Sequence, residues 1–372
     1  MEDVQTPKAA PGSADLQMPT LDELLEITFP ERQHLLSPWL REHESSMVYA
    51  PAGVGKSLFA LSAALAVAGG GEFLGWNPDA KADGDGWRVL LVDGEMHIGD
   101  IQERVRLLLD AVPGIDRAKV GGNLRFLARQ QQHPDANFPL ITSEEGKQFI
   151  QQEVVDGKFD LLILDNFSTL GRVVDENAAS SFDDIQDFLL RLKVEHVATM
   201  LVHHAGKGGD FRGSSKLAAT FETIAKLEKP REEIEHGEAQ FRVRWDKVRA
   251  GGRERRVRQV VAKLTSEERQ GKQVAVWMYE AEGLERLYEI KEALEASQLI
   301  NQKEIADLCG VSKPMARKYL DRGVVVGVWT RAEVSRWFLK GKLRRRLKQT
   351  EPPIRPSLDW MEDDQELSAE DL

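Results

Sequence analysis

Three strongly apolar runs in the chain end in polar or charged residues. Arg88–Asp93 and Phe159–Asp165 each end in an aspartate, and Val197–His204 ends in two histidines. Continuous apolar runs of this length are typical of strands that are buried on both faces of a parallel sheet. Ser46–Tyr49 and the weaker run Asn123–Ala128 provide two further strand candidates. The pattern therefore predicts one buried, mostly parallel sheet.

Segments with helical character alternate with these strands. They are Leu58–Ala68, Ile98–Leu109, Ser143–Val155 and Ala178–Lys193. Strands that alternate with helices need crossover connections, and these place helices on both faces of the sheet. The predicted fold class is therefore α/β, with a mostly parallel central sheet flanked by helices.

The pattern changes after residue 240. Phe241–Trp245 alternates apolar and basic residues, Val257–Leu264 is rich in valine, and Val274–Tyr279 follows a polar turn. Such segments predict antiparallel strands that complete the sheet. Glu282–Ala296 has helical character and is expected to lead into a second module.

The second module contains a helix, a glycine turn and another helix. Asn301 begins the first helix, Gly310–Ser312 forms the turn, and the second helix continues to Leu320. This arrangement resembles the helix-turn-helix of DNA-binding proteins, with Val324–Trp329 as a small wing strand. The residues expected on the exposed face of the second helix, where they would contact DNA, are Ser312, Lys313, Arg317 and Lys318. Many helix-turn-helix folds bind proteins instead, so a protein partner stays open.

Composition and pattern together predict how the whole chain is divided into domains and disordered segments. Residues 1–20 are rich in Pro, Ala, Gly and Asp without periodicity, which predicts a disordered arm. Residues 21–281 form the predicted α/β domain and 282–340 the helical module. Residues 341–372 combine a basic cluster, which includes Lys342 and Lys348, with an acidic tail that is predicted to be disordered.

The single cysteine, Cys309, excludes an internal disulfide framework and a cysteine-based zinc site. The N-terminal sequence has no signal-peptide pattern, and no apolar run is long enough to cross a bilayer. We therefore expect a cytoplasmic protein with no membrane partner.

The net charge of −11 is unevenly distributed. The segment 351–372 contains eight acidic residues and one basic residue, so it carries most of the excess. Phe241–Gln270 instead contains ten Lys and Arg against four Asp and Glu. A local basic stripe of this kind keeps a nucleic-acid partner open despite the acidic total.

The segment Ala50–Ser57 connects a predicted strand to a predicted helix and ends in Gly-Lys-Ser. This spacing matches a P-loop, although Ala50 replaces the first glycine. Backbone N–H groups of such a loop bind phosphates, the lysine adds a positive charge, and the serine hydroxyl ligates Mg²⁺. The residues expected to bind nucleotide are Ala52, Gly53, Val54, Gly55, Lys56, Ser57 and Leu58. The alternative is a glycine-containing turn without a ligand.

Polar groups at the carboxyl ends of parallel strands meet where the phosphates of a nucleotide lie. Asp165 is placed to hold Mg²⁺ together with Ser57, and Glu95 is placed to activate the attacking water. His204 is placed to contact the γ-phosphate. A turn cap, a helix N-terminal charge and a polar strand end are the structural alternatives for these three residues. The neighbouring Asp93 also stays open as the base.

Together these motifs resemble the RecA-like ATPase core, and within it the small RepA-type hexameric replicative helicases of plasmids. The resemblance rests on Gly-Lys-Ser, Asp93–Glu95, Asp165, His203–Lys207 and Arg212–Ser215, and it covers roughly residues 35–279. It implies a homo-oligomeric ring, a hexamer, with ATP and Mg²⁺ at subunit interfaces.

The same resemblance assigns two basic groups of residues. Lys247 and Arg249 are similar to the finger pair that completes the nucleotide site of a neighbouring subunit. Lys207, Arg212 and Lys216 are the candidates for contact with single-stranded DNA near the ring axis. A solvated basic strand and an unliganded surface loop are the respective structural alternatives.

The expected function is an ATP-hydrolysing DNA motor, a replicative helicase of a plasmid, phage or mobile element. Single-stranded DNA would pass through the ring, and the C-terminal module would contact duplex DNA or another replication protein. One alternative is a DNA-bound ATPase switch or helicase loader that acts in replication or transposition without unwinding. Another is a KaiC-like or RecA-like recombination ATPase that forms filaments.

Overall fold

The structure is a computed structural model, and it describes residues 18–81, 83–171, 179–206, 215–229, 239–249, 257–281, 285–325 and 328–350. Most of the predicted N-terminal arm and the whole acidic tail lie outside these ranges. By its contacts the chain divides into two compact units, Met1–Tyr279 and Glu280–Leu372. Each unit has a hydrophobic core of its own.

The first unit is organised by one nine-stranded sheet. A separate two-stranded sheet pairs β1 (His34–Leu36) with β2 (Leu40–Arg41). In chain order the strands of the large sheet are β3 (Ser45–Ala50), β4 (Val89–Asp93), β5 (Leu124–Ala128), β6 (Leu161–Asp165), β7 (Ala198–His204), β8 (Thr223–Glu228), β9 (Gln240–Val248), β10 (Val260–Arg269) and β11 (Lys272–Ala281). Across the large sheet the order is β11-β10-β9-β8-β3-β7-β6-β4-β5. The β8-β3-β7-β6-β4-β5 part is parallel, and β9 runs antiparallel to β8 and β10.

Helices cover both faces of this sheet. They are α2 (Lys56–Gly69), α3 (Ile98–Ala111), α4 (Arg117–Asn123), α5 (Glu144–Asp156), α6 (Phe167–Gly171), α7 (Ala179–Val194) and α8 (Ser215–Thr220). A further short helix, α1 (Leu21–Glu26), precedes them and is exposed along its whole length. In β4, Val89 and Leu91 pack into the core that contains α2, whereas Leu90 and Val92 pack into the core that contains α5 and α7. Successive side chains of a strand point to opposite faces, so a strand buried on both sides must be apolar throughout. The predicted α/β fold class is confirmed.

One central strand escaped the sequence prediction. β8 lies directly beside β3, in the middle of the sheet, and pairs with it in parallel from Ser46 opposite Thr223 onward. Its apolar pattern is interrupted by Lys226, which is buried and paired with Glu228 at 3.2 Å. A lysine within a short apolar run conceals the periodicity that identifies strands.

The second unit is helical in its described residues. It contains α9 (Glu285–Glu295), α10 (Gln302–Cys309), α11 (Lys313–Val325) and α12 (Arg331–Thr350). Asn301 caps α10 by accepting from the backbone N–H groups of Lys303 and Glu304, and Gly310 ends the helix with φ at 64°. A left-handed residue at this position is a common helix stop, and it turns the chain toward α11.

The wing strand predicted at Val324–Trp329 is wrong in the part that the structure describes, because α11 continues through Val325. Trp329 folds back on this helix, donates from Nε1 to Leu320 O at 3.0 Å and leaves room only for a glycine at position 323. Helical packing of Trp329 therefore replaces the expected strand.

The basic cluster near residue 345 lies on α12. Arg344 donates to the backbone oxygen of Ala296 at 2.8 Å, and Arg345 forms a bidentate pair with Glu304 at 2.7 and 2.9 Å. Two members of the cluster therefore hold the helical unit together.

Candidate functional site

The P-loop leaves β3 at Ala50 and enters α2 at Lys56. Ala50 is the last residue of the extended strand, so its Cβ meets no conformational penalty there. Gly53 and Gly55 have φ values of 73° and 110°, which L side chains rarely adopt. The loop therefore keeps glycine at the two positions where its backbone requires it.

The N-terminus of α2 has no side-chain cap, although α3, α4 and α5 are capped by His97, Asp116 and Ser143. Unpaired N–H groups and the helix dipole make such an N-terminus attractive to an anion. Because the loop is wrapped around this end of a 14-residue helix, the geometry fits a phosphate group.

Lys56 is 7 % exposed and donates from Nζ to the backbone oxygens of Ala50 and Pro51, at 3.1 and 3.0 Å. Burial lowers its pKa, and the nearby carboxylates of Asp165 and Glu95 oppose that shift. The amine is thus held under the loop by two carbonyl groups, without a direct partner charge.

Two carboxylates lie side by side at the ends of β4 and β6, where Asp93 stands opposite Asp165 in the parallel register. Both are buried, and burial together with the neighbouring Asp93 raises the pKa of Asp165 to about 7 despite a hydrogen bond from Ser57. Burial is also the largest cause of the raised pKa of Asp93. Lys56 opposes the shift of Asp165 and Arg104 opposes the shift of Asp93, but burial outweighs both cations, so both pKa values stay raised.

Asp93 shapes the turn that follows β4. Its Oδ1 accepts the backbone N–H groups of Glu95 and Met96, at 2.8 and 2.6 Å, and the residue is 1 % exposed. The Glu95 side chain, by contrast, is 58 % exposed and borders the cleft. Of the two acids left open by the sequence, Glu95 is the one that a water molecule can reach.

Three side chains converge on Glu95. Asn166 donates from Nδ2 to its Oε2 at 2.5 Å, and Gln130 donates from Nε2 to its backbone oxygen at 2.5 Å. The Nε2 atom of His204 lies 3.9 Å from the same Oε2. His204 is therefore beside the candidate base, at the end of β7.

These groups surround a cleft of about 520 Å³. Of the predicted nucleotide-binding residues, Ala52, Gly53, Gly55, Lys56, Ser57 and Leu58 line it. Val54 is 2 % exposed and packs into the hydrophobic core instead. Sequence reasoning missed further lining residues, namely Met96, Arg104, Leu107, Asn166 and Ala239. Asn166 directly follows a strand-end acid, which is the signal that could have identified it.

Lys247 and Arg249 lie at the opposite edge of the sheet. The backbone N–H of Arg249 bonds to Glu222 O, and Glu222 in turn bonds through its own N–H to Ser45 O at the start of β3. Ser45 is five residues, roughly 17 Å of strand, from the P-loop end. The pair is not in the nucleotide cleft of its own chain.

Both cations of this pair bind the C-terminal carbonyls of α8. Lys247 donates to Ala218 O at 2.7 Å, and Arg249 donates to Ala219 O at 2.9 Å and contacts Glu222 at 3.3 Å. Cations are favourable at this end of a helix. Burial, followed by the charge of Arg249, lowers the pKa of Lys247.

The predicted DNA-binding residues are distributed over both units. Lys207 and Arg212 lie outside the described residues, and Lys216 belongs to the short helix α8. In the second unit, Ser312 precedes α11 and is exposed, as are Lys313, Arg317 and Lys318 on that helix.

The donor set fits a Mg²⁺-nucleotide. Ser57 and Asp165 are the residues that would hold the ion, with the remaining oxygens supplied by phosphates and water, as Mg²⁺ prefers. In the described part of the chain no group of three His, Cys, Asp or Glu side chains could bind a metal by itself.

No helix among the described residues is long and apolar enough to span a membrane. Comparison with curated proteins gives no match. Among solved structures, the chain is similar to a KaiC-like protein of the hyperthermophilic archaeon Pyrococcus horikoshii OT3, with a TM-score of 0.41 and 16 % identity; the match covers 65 % of this chain and 93 % of the other.

A family profile described as an AAA domain matches residues 13–210, more than half of the 372-residue chain. This segment includes the P-loop, the turn after β4 and the strand ends that carry Asp165 and His204. The chain therefore belongs to the AAA domain family, as a P-loop ATPase.

Proposed function

We propose that the protein is an ATP-hydrolysing DNA motor that works as a ring of identical subunits, a replicative helicase of a plasmid, phage or mobile element. One observation carries the proposal. The residues proposed to bind phosphate and activate water lie at one edge of the sheet, while the basic pair Lys247 and Arg249 lies at the other. A second copy of the chain can supply the pair that the cleft lacks.

Hydrolysis follows from the residues of the cleft. The loop N–H groups and Lys56 bind the phosphates, and Ser57 and Asp165 hold the metal ion. Bound Mg²⁺ would neutralise charge that develops on the transferred phosphoryl group. Glu95 accepts a proton from the attacking water, whose oxygen bonds to the γ-phosphorus as the bond to the bridging oxygen breaks and ADP leaves.

Completion of the site from a neighbour explains the position of the basic pair. Arg249 and Lys247 would stabilise negative charge on the γ-phosphoryl oxygens of the adjacent subunit. Lys247 and Arg249 both donate to carbonyls of α8, and Arg249 also contacts Glu222, so the fold orients both side chains. A hexamer is the assembly that we propose.

DNA contact is proposed at two places. Lys207, Arg212 and Lys216 would bind the backbone of single-stranded DNA, and α8, which anchors the basic pair, follows this segment directly in the chain. In the second unit, α11 would serve as the recognition helix of a helix-turn-helix. Its residues Lys313, Arg317 and Lys318 would make phosphate and base contacts.

Steady-state ATP hydrolysis with and without single-stranded DNA tests the proposal. The wild-type chain is expected to hydrolyse ATP at a rate that DNA raises several-fold. Lys56→Ala is expected to lower the rates with and without DNA by at least about 100-fold. The melting temperature of Lys56→Ala provides the folding control. Hydrolysis that is insensitive to DNA would overturn the motor function, and no hydrolysis at all would overturn the ATPase function.

The exposed basic residues of α11 favour a second candidate, a DNA-bound ATPase switch or helicase loader. The second unit has a core of its own, so it can bind DNA whether or not the ATPase translocates. Strand displacement on a forked substrate separates the two candidates. The motor unwinds the fork in an ATP-dependent reaction, whereas the switch hydrolyses ATP and leaves the fork intact.

A further inference from the structure

The side chain of Asn166 is oriented by its own neighbours. It is 3 % exposed, and its Oδ1 accepts the backbone N–H of Thr169 at 3.3 Å. Because the oxygen is used in this way, the amide nitrogen must point in the other direction, toward Oε2 of Glu95 at 2.5 Å. The backbone contact thus determines the orientation of the carboxamide.

The surrounding turn is packed closely enough to preserve this arrangement. Gly94 N donates to Asp165 O at 2.8 Å, which joins the two strand ends that carry Glu95 and Asn166. A side chain at Gly94 would collide with Thr169, whose hydroxyl donates to Asn166 O at 3.1 Å. Glycine at position 94 therefore permits the α6 turn to lie against the base.

Glu95 itself is exposed and on a flexible side chain, so without an anchor it would sample several rotamers. Asn166 restrains the carboxylate at Oε2, and Gln130 restrains the backbone of the same residue from the loop after β5. These two restraints leave Oε1 for a water molecule. Small displacements of a base lower the rate strongly, so an anchored carboxylate is a more effective base than one that samples several positions.

We infer that Asn166 is a positioning residue for Glu95, with Gln130 as a second and weaker anchor. The inference rests on the proposed function, in which Glu95 is the base of ATP hydrolysis. Asn166 donates a single hydrogen bond to the carboxylate and takes no proton from the water. Its effect should therefore appear in kcat and leave nucleotide binding unchanged.

Kinetics of matched variants test the inference. Asn166→Ala is expected to lower kcat by about 10-fold to 100-fold with KM and the affinity for a fluorescent ATP analogue within about twofold of wild type. Gln130→Ala should lower kcat by roughly 3-fold. Gln132→Ala is the control, since Gln132 bonds to Ala128 O at 3.0 Å and not to Glu95.

A second substitution keeps the test decisive if Asn166→Ala does not fold. Asn166→Ser retains a side-chain oxygen that can accept from Thr169 N–H, but its side chain is too short to donate to Glu95 Oε2. It adds no charge beside the buried acids, so it should melt near the wild-type temperature and show the same loss of kcat. An unchanged kcat in a folded Asn166 variant would overturn the inference.

Measurements on the Glu95→Gln variant distinguish failure of the inference about Asn166 from failure of the proposed function. If Glu95→Gln hydrolyses ATP at a small residual fraction of the wild-type rate, Glu95 acts as proposed. Adding Asn166→Ala to Glu95→Gln should then reduce the residual rate no further, because the two residues act as one unit. A further 10-fold loss in the double variant would show that Asn166 acts elsewhere and would overturn the inference.

Discussion

Charged residues have opposite roles at the two ends of the parallel strands, where the strand C-termini form the carboxyl edge of the sheet and the strand N-termini form the amino edge. At the carboxyl edge, the three acids Asp93, Asp165 and Glu95 lie close together, with Lys56 near Asp165 and Glu95, and Arg104 near Asp93. At the amino edge, Glu222 accepts from Lys193, Arg249 and the backbone N–H of Ser45, at 2.9, 3.3 and 2.9 Å. One edge has excess negative charge and the other is neutralised.

The difference separates charges that bind a ligand from charges that maintain the fold. Buried acids without enough partners destabilise the empty protein, and they persist where a cation or a reacting group needs them. A buried acid with three donors stabilises the fold. Acidic residues at one end of the strands are therefore available to bind a ligand, whereas those at the other end stabilise the fold.

The largest stability effect is expected at the amino edge. Glu222→Ala removes the acceptor of three donors, and it should lower the free energy of unfolding by about 3 kcal/mol because Lys193 loses its partner charge. Urea denaturation measures the change. Glu267→Ala is the control, since its contact with Arg269 is exposed and should be worth less than about 0.5 kcal/mol. Equal effects of the two variants would contradict the comparison.

At the carboxyl edge, removal of a buried acid should instead raise the free energy of unfolding. Asp165→Asn relieves a buried carboxylate whose pKa is raised to about 7, and an amide oxygen can still accept from Ser57. We expect the metal-free protein to gain about 2 kcal/mol in unfolding free energy at neutral pH, about half of what three pKa units represent. Urea denaturation in EDTA measures this gain.

Asp160→Asn is the matched control for that measurement. Asp160 accepts from Lys81 at 2.9 Å and from the backbone N–H of Arg88 at 2.7 Å, so removal of its charge should lower stability. If Asp165→Asn also lowered stability by 1 kcal/mol or more, the carboxyl edge would not carry excess negative charge.

The smallest effect concerns a histidine pair at the amino edge. The Nδ1 atoms of His43 and His196 lie 3.4 Å apart, and burial, followed by the charge of His196, lowers the pKa of His43. The folded protein then binds this proton less readily than the unfolded chain. Well above pH 6.5, the pKa of the unfolded chain, the histidine is neutral in both states and has no effect on the free energy of unfolding. As the pH drops through and below that value, the unfolded chain binds the proton first, so the free energy of unfolding falls.

The substitution His43→Asn should remove this pH dependence, and asparagine tolerates the φ of 59° at that position. The expected change is below about 1 kcal/mol, because solvent screens the partly exposed pair. Melting temperatures between pH 7 and pH 5 measure it. An identical decline in wild type and His43→Asn would exclude the pair as the cause.

The strands and the chemistry at their ends could be predicted because both are local in sequence. An apolar run followed by Asp93 or Asp165 places an acid at a strand end before any tertiary contact is known. The P-loop is likewise recognisable from eight consecutive residues. The five predicted parallel strands β3 to β7 are confirmed, with boundaries that differ by a few residues.

Contacts between distant segments were not predictable. Asn166 and Glu95 are 71 positions apart, and His43 and His196 are 153 apart. These pairs form because of strand order and register, which the pattern within a single strand does not specify. The helical conformation in the described part of the predicted wing has a similar origin, since the packing of Trp329 against α11 depends on Gly323 and the helical core rather than on strand propensity.

Subunit mixing tests most directly whether the two edges complete one site. Lys56→Ala and Arg249→Ala should each hydrolyse ATP poorly alone, the first for lack of phosphate binding and the second for lack of the finger. In mixed rings, an interface with an intact Lys56 on one subunit and an intact Arg249 on its neighbour can act. An equal mixture should recover about a quarter of wild-type hydrolysis if subunits assort randomly. A mixture as inactive as either variant, under conditions where tagged subunits are shown to exchange, would contradict completion of the site by a neighbour.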